Sequence, residues 1–538
     1  MTDSDSEPPG ADRAVVLGLD GVPWGLLRDW VEAGHLPNFG RLFDEGASGV
    51  LESTTPAHTA LAWPSIATGT WPDQHGVYDF QRLQSDHTHR MNTSGDVARP
   101  ALWELVEPAV AGNVPMTYPA TDVDGAVVSG MMTPRRDEGF AHPPGLVDAV
   151  ADEIPGYEIG LDWGEYADRE GEFQDDLADL LAARNALRET LQQRVGDDWR
   201  LFFFVYTAPD RLQHLVWDED VLLSWYERFD DVVGDVMEYA AEHDALLTVV
   251  SDHGFGPNET VVSAPKLLED AGYLVPHEQS GVRGVLAGLG IDKDSVLSKL
   301  ERIGISEQAL VDYVPQGFVD VAAMQVPGEH SLYDVDHANT AAFAHGAGNV
   351  YVNDTARFED GVVDPAQRPA VKAELVELFE GVTDPETGDR VFDVADGGDL
   401  FPRDDSAPDL VLSGRGGYEV LTMLTEEVFH DADTKAAGHR PEGVFFAWGP
   451  GMQGGSRVRD ASVVDVAPTV LHAIGDPVPE HVDGNVLQAA FEPDGEPAAR
   501  DPAYVDLDYD AGDPGGERGV DGDASDVEDR LRGLGYIE

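Results

Sequence analysis

Three apolar runs in this chain end in acids or histidines. "AVVLGL" is followed by Asp20, "LFFFVY" by Asp210 a few residues on, and "LLTVV" by the pair Asp252-His253. In open sheets of parallel strands, ligands bind just beyond the carboxyl ends of the strands, so chemistry is expected at such positions. A single acid carries little weight among 102 Asp and Glu in 538 residues; it is ordinarily a loop residue or a helix cap. Histidine discriminates better, because the chain has only 17. His214 follows Asp210 by four residues in "PDRLQH", which puts both side chains on one helical face. His253 adjoins Asp252, and His439 stands in "AGHRPEG", just before the apolar run in "GVFFAWGPG".

Three histidines and three aspartates suffice for two closely spaced divalent ions. Imidazole and carboxylate, in a chain with no cysteine, suit Zn²⁺ or Mn²⁺. Two such ions beside a hydroxyl are the equipment for in-line displacement at phosphorus. The candidate hydroxyl is Thr59 in "PAHTALAWPSIATG", at the start of a helix, where free N–H groups and the dipole favour a phosphate. Thr54, Thr55 and Ser65 are its rivals. Arg135 and Arg136 in "MTPRRDEG" and Lys266 could meet a substrate phosphate, although salt bridging to the abundant acids is their ordinary role. "DLDYDAGDPGGE" (Asp506 to Glu517) approaches a calcium loop, but its Gly comes one place late, Pro514 intrudes and no helix precedes it. His75 and His345, each before a Gly, read as turn residues, with His345 placed to face a cleft from an insertion.

The elements that must position these residues alternate. "AVVLGLD" reads as a buried parallel strand, followed by helices in "WGLLRDWVEAG" and "LPNFGRLFDEG"; "GNVPMTYP", "WRLFFFVY" and "ALLTVV" read as further strands. Long amphipathic helices are predicted from about residue 174 to 195 and across "LLSWYERFDDVVGDVMEYAAEH". This is the rhythm of an α/β fold with a mainly parallel sheet. It breaks over 264–345, read as an inserted cap, and is taken up again by "GNVYVN", "VKAELVELFEGV", "APDLVLS" and "GVFFAWGPG". The organisation expected is an acidic N-terminal tail (1–12), a catalytic core (13–263 and 346–492), the cap (264–345), and an acidic connector ending in a short helix (493–538).

The net charge is −68, yet 42% of the residues are hydrophobic, which suits a globular chain rather than a disordered one. Arginine supplies nearly all the positive charge. Self-repulsion on this scale is largely screened in molar salt, where the Debye length is about 3 Å, so the composition reads as adaptation to a very salty cytoplasm. The same charge argues against binding nucleic acid or anionic lipid. The acidic start "MTDSDSEPPGADR" has no signal-peptide pattern, and no apolar run reaches transmembrane length, so a cytoplasmic location is expected. Oligomeric state is not legible.

The motifs "LGLDGV", "LPNFGRL", "HTALAWPSIATGTWPDQHGVYDF", "APDRLQHLVW", "SDHGFGP" and "GHRPEGVFFAWGPG" resemble, in order, those of the alkaline phosphatase superfamily, nearest the type I phosphodiesterase/nucleotide pyrophosphatase branch. Later stretches, including "DVDHANTAAFAHGAGNVYVN", "APDLVLS" and "VVDVAPTVLHAIGDPVPEHVDGNVL", carry the resemblance over nearly the whole chain. It implies an α/β/α sandwich and a two-metal hydrolase of phosphate esters, with Asp20, Thr59, Asp252 and His253 at one ion and Asp210, His214 and His439 at the other. Thr59, ten residues before the Gly of "ATG", takes the place of the family's nucleophile, which passes through a phosphothreonine. One departure bears on substrate: the branch's Asn after "HG", a contact to the phosphoryl oxygen, is replaced by Phe80, preceded by Asp79. Phosphomonoester, phosphonate or phosphoryl-transfer chemistry on the same scaffold is the alternative. Sulfate esters fit less well, because sulfatases of the superfamily use a modified Cys or Ser. A non-catalytic binding protein is the rival of another class, against which every ligand position is filled.

Overall fold

The computed structural model describes residues 10–136, 139–154, 156–161, 166, 169–277, 335–432 and 437–507. The apolar runs form the centre of a ten-stranded mixed sheet. Its order is Ser456–Arg457, Ala47–Glu52, Glu442–Trp448, Leu246–Val250, Ala14–Leu19, Leu201–Tyr206, Ala109–Val114, Gly125–Ser129 and Ala141–His142, with Ala461–Ser462 also paired to Ala47–Glu52. The strands from Leu246–Val250 across to Gly125–Ser129 are mutually parallel. Glu442–Trp448 runs antiparallel to both of its neighbours.

These strands are apolar throughout because both faces are covered. Val15, Leu17 and Leu19 enter one core, beneath the helices Glu170–Val195 and Glu219–Glu242. Val16 enters the other, packed by the helices Thr59–Thr68 and Val466–Ala473. The architecture is the expected α/β/α sandwich around a mainly parallel sheet.

"GNVYVN" and "APDLVLS" do not rejoin that sheet. They become Asn349–Val352 and Leu410–Gly414 in a separate four-stranded antiparallel sheet with Ala342–His345 and Phe392–Asp396. This sheet packs on the helix Arg368–Glu380 around its own core, which includes Phe343, Val350, Leu375 and Phe379. A short buried strand does not advertise which sheet it joins. The decisive local feature is the tight turn between His345 and Asn349, where Gly346 and Gly348 take φ of 59° and 80° and set an antiparallel hairpin.

Much of the expected cap, residues 278–334, lies outside the described residues, as do the expected terminal helix and nearly all of the calcium-like loop. The start of the expected connector packs against the core. Val478–Pro479 pairs with Tyr504–Val505, and His472 Nε2 lies 2.8 Å from the carbonyl of Pro497.

Candidate active site

Register explains why residues from distant parts of the chain meet. Leu19 lies opposite Tyr206 and Gly18 opposite Val250, so the three parallel strands end at one level. Asp20 follows the first, the helix Ala208–Leu215 with Asp210 and His214 follows the second, and Asp252 and His253 follow the third. Gly21 turns the chain at φ 74°; a Cβ there would stand 3.1 Å from the Cα of Asp210. Only glycine permits that approach of the first loop to the second helix. His439 comes from Ala437–Arg440, a strand antiparallel to Gly254–Pro257 in which it faces Phe255.

The seven residues singled out from sequence converge. Thr59 Oγ1 is 3.1 Å from His253 Nε2. That nitrogen is 3.3 Å from Asp252 Oδ2 and 3.6 Å from Asp20 Oδ1. Asp210 Oδ1 lies 3.4 Å from His214 Nε2 and 3.3 Å from His439 Nε2. The rings of His253 and His439 stack at 3.8 Å. Ligand atoms fall into two groups close enough to hold a metal ion: Asp210, His214 and His439, and Asp20, Asp210 and His253, with Asp210 common to both.

The electrostatics call for cations. Asp20 and Asp252 are fully buried, and Asp20 Oδ1 and Asp252 Oδ2 have no hydrogen-bond donor among the described residues. Burial, then the neighbouring charges of Asp252 and Asp210, hold the Asp20 carboxyl well above its usual range. Burial also raises Asp252. Burial would raise Asp210 as well, but His214 and His439 hold it well below. Burial, followed by the neighbouring His253, pushes His439 well down, which leaves a neutral ring with a lone pair to offer. A divalent ion would satisfy both orphaned oxygens and the neutral His439 imidazole, so the donor set fits the metals that the sequence implies.

The surroundings orient each donor. The Gly21 N–H donates to Asp252 Oδ1 at 3.2 Å, and the Ser53 hydroxyl donates to the Asp252 carbonyl at 2.6 Å. His253 Nδ1 lies 3.0 Å from the Gly254 carbonyl and His439 Nδ1 3.2 Å from that of Ala57, so in each ring Nδ1 carries the proton and Nε2 faces inward. Thr59 opens the helix Thr59–Thr68, whose N-cap, His58, accepts from the Ala60 N–H at 3.3 Å.

The rival hydroxyls are engaged elsewhere. Thr54 donates to the Pro56 carbonyl, Ser65 pairs with His75, and Thr55 is exposed. Lys266 forms ion pairs with Glu269 and Asp270, its ordinary role. Arg135 and Arg136 are exposed on the loop after Gly125–Ser129. Phe80 is buried with its ring 5.0 Å from that of His58, an apolar surface where a polar contact was the family pattern. His75 and His345 flank turns but are buried. Two residues went unread in the sequence. His58 caps the helix of Thr59, and Trp63, one turn beyond Thr59, donates to Asp20 Oδ2 at 3.1 Å. The i, i+4 spacing of Thr59 and Trp63 was the available signal.

A three-layer sandwich with a His/Asp centre beyond its strand ends defines the alkaline phosphatase class. The chain belongs to the type I phosphodiesterase/nucleotide pyrophosphatase family, whose model matches residues 14–441. It is therefore an enzyme, a metal-dependent hydrolase of phosphoric esters. Among solved structures it is similar to phosphonoacetate hydrolase from Sinorhizobium meliloti 1021 in complex with phosphonoformate, with 15% identity over 88% of this chain and 98% of that one and a TM-score of 0.52. It is also similar to the murine ectonucleotide pyrophosphatase/phosphodiesterase 5, at 12% identity over 88% and 97% and a TM-score of 0.48. The human counterpart gives 10% over 88% and 97%, again with 0.48. Comparison with curated protein sequences gives no match. Among the described residues, no helix is long and apolar enough to cross a membrane.

Proposed function

We propose that this enzyme hydrolyses small phosphodiesters with Thr59 as nucleophile and two divalent ions, zinc or manganese, as cofactors. The observation that carries this reading is the Thr59 hydroxyl at a helix N-terminus, 3.1 Å from His253 Nε2 and beside the orphaned oxygens of Asp20 and Asp252. Asp20, Asp252 and His253 would hold one ion with Thr59; Asp210, His214 and His439 would hold the other. When bound, the ions lower the proton affinity of the hydroxyl and of water and offset charge on the phosphoryl oxygens.

The Thr59 oxygen attacks phosphorus in line as the bond to one ester oxygen breaks, and the departing alkoxide takes up a proton. The phosphothreonine diester that forms lies at the first turn of the helix, whose dipole and N–H groups favour its negative charge. Water then attacks the same phosphorus, a monoester leaves, and Thr59 is regenerated. His214, His439 and Asp210, which form the second group of donors, would orient that water. Phe80 gives no polar contact beside the phosphoryl group, which favours diesters other than nucleotide pyrophosphates. The composition supports work in a highly saline cytoplasm.

The test compares bis-p-nitrophenyl phosphate with p-nitrophenyl phosphate in molar KCl after chelation and metal add-back. Diester cleavage should return with the metal and fall by about 10³-fold or more in Thr59→Ala. Preference for the monoester would move the assignment to a phosphomonoesterase. Full activity in Thr59→Ala would remove the nucleophile.

A further inference from the structure

Beside the candidate metal centre lies a cluster of cationic and phenolic groups that the hydrolysis of a simple diester does not use. Arg184, in the helix Glu170–Val195, is buried, with its guanidinium carbon 4.6 Å from the centre of the Tyr157 ring. Its Nη2 donates to the Ile159 carbonyl at 2.7 Å. Its Nε and Nη1 are buried and find no hydrogen-bond partner among the described residues; nor does the hydroxyl of the fully buried Tyr157. Arg211 is also buried and lies against Gly160, where a Cβ would stand 3.0 Å from its Nη1. The glycine lets the guanidinium rest on backbone next to the carbonyl that holds Arg184. Arg136 stands at the exposed rim, and all three arginines act electrostatically on Tyr157.

This cluster is tied to the site by a helix. Arg211 directly follows Asp210 and precedes His214 by three residues, so it flanks the face of Ala208–Leu215 that carries those donors. A buried guanidinium is costly, and burial pushes Arg184 below its ordinary value although Tyr157, Tyr206 and Glu158 act the other way. Acids outnumber bases 102 to 34 in this chain, yet no bond from Arg184 to a described residue goes to a carboxylate. Buried donors left without a described partner, as on Arg184 and Tyr157, are the means of holding an oxyanion.

We propose that Arg184, Arg211 and the Tyr157 hydroxyl bind a second anionic group, a carboxylate or a phosphate, carried by the phosphodiester substrate. This rests on the hydrolase reading above and narrows its substrate class to esters with a further negative charge.

The test uses methyl p-nitrophenyl phosphate beside a series of ω-carboxyalkyl and ω-phosphoalkyl p-nitrophenyl phosphates of increasing chain length, in molar KCl. At the best length, kcat/KM should exceed that of the methyl ester by about tenfold or more, as charge-assisted hydrogen bonds would give. The better of the two series identifies the anion. In Arg184→Met that ratio should collapse toward one, and in Tyr157→Phe, which keeps the ring, it should fall severalfold. Arg188→Lys, a change on the same helix at a residue bonded to the Tyr206 hydroxyl, should keep the ratio. A ratio near one at every length, in an enzyme that cleaves the methyl ester, overturns the inference and leaves the hydrolase reading standing. Should no ester be cleaved, thermal shifts of the chelated protein with succinate and inorganic phosphate decide it. A shift lost in Tyr157→Phe supports the site, and no shift in the wild type rejects it.

Discussion

At the scale of single residues, the most informative contact is that of Trp63 with Asp20. Trp63 is fully buried, and it reaches Asp20 because position 18 has no side chain; a Cβ on Gly18 would come within 2.3 Å of the indole. The indole N–H can only donate, so it occupies Asp20 Oδ2 and turns Oδ1 toward His253. One residue thus links the helix of the proposed nucleophile to a proposed metal ligand. Partners of metal ligands commonly affect affinity by about 10–100-fold. Trp63→Phe, which keeps most of the ring volume, should therefore weaken metal binding by about that factor, read by competition with a chromophoric chelator. Unchanged affinity in a folded Trp63→Phe protein would assign the indole to packing alone.

At the scale of elements, the loop following the Thr59 helix joins the two sheets. Asn349, on the small sheet, donates to the Tyr78 carbonyl at 3.1 Å, and His345 Nδ1 lies 3.9 Å from Asp79 Oδ2. His75 anchors the other end of this loop, 3.0 Å from the Ser65 hydroxyl. Burial pushes both His75 and His345 down to about 3. In the unfolded chain each would take up a proton below about pH 6.5. The unfolded state therefore binds more protons between pH 6.5 and 3, and stability is complete above that window and lost as pH falls through it. The slope is about 1.4 kcal/mol per pH unit for each histidine. Calorimetry of unfolding near pH 5 should show His345→Gln taking up about one proton fewer than wild type. Equal uptake would mean that His345 is already charged in the folded protein.

For the whole molecule, charge dominates. A net −68 on a folded chain opposes compaction wherever acids are unscreened. Raising KCl from about 0.1 M to above 1 M shortens the Debye length from about 10 Å to about 3 Å. The unfolding temperature should climb by tens of degrees over that range, measured by circular dichroism, with potassium sulfate compared at equal ionic strength to separate screening from specific chloride effects. A flat profile would mean that the acids are neutralised within the fold. Some half-buried arginines are placed selectively: Arg357 and Arg368 clamp the buried Asp409 beside the small sheet, at 2.5 and 2.6 Å.

The sequence by itself determined the class of fold and singled out the candidate site residues. Apolar runs long enough to be buried on both faces dictate a covered parallel sheet, and Asp20, Asp210 and Asp252-His253 were legible because strand ends are marked by abrupt polarity. His214 was legible through helical spacing, and Thr59 through its place in a resembling motif. What only the tertiary structure decided depends on register and on contacts distant in sequence. Nothing local says that Asp210 lies between two groups of donors, that "GNVYVN" leaves the main sheet, or that Trp63 reaches Asp20. The same holds for the meeting of Arg184, Arg211 and Tyr157. Each belongs to an ordinary amphipathic helix or loop when read along the chain, and only packing buries them together.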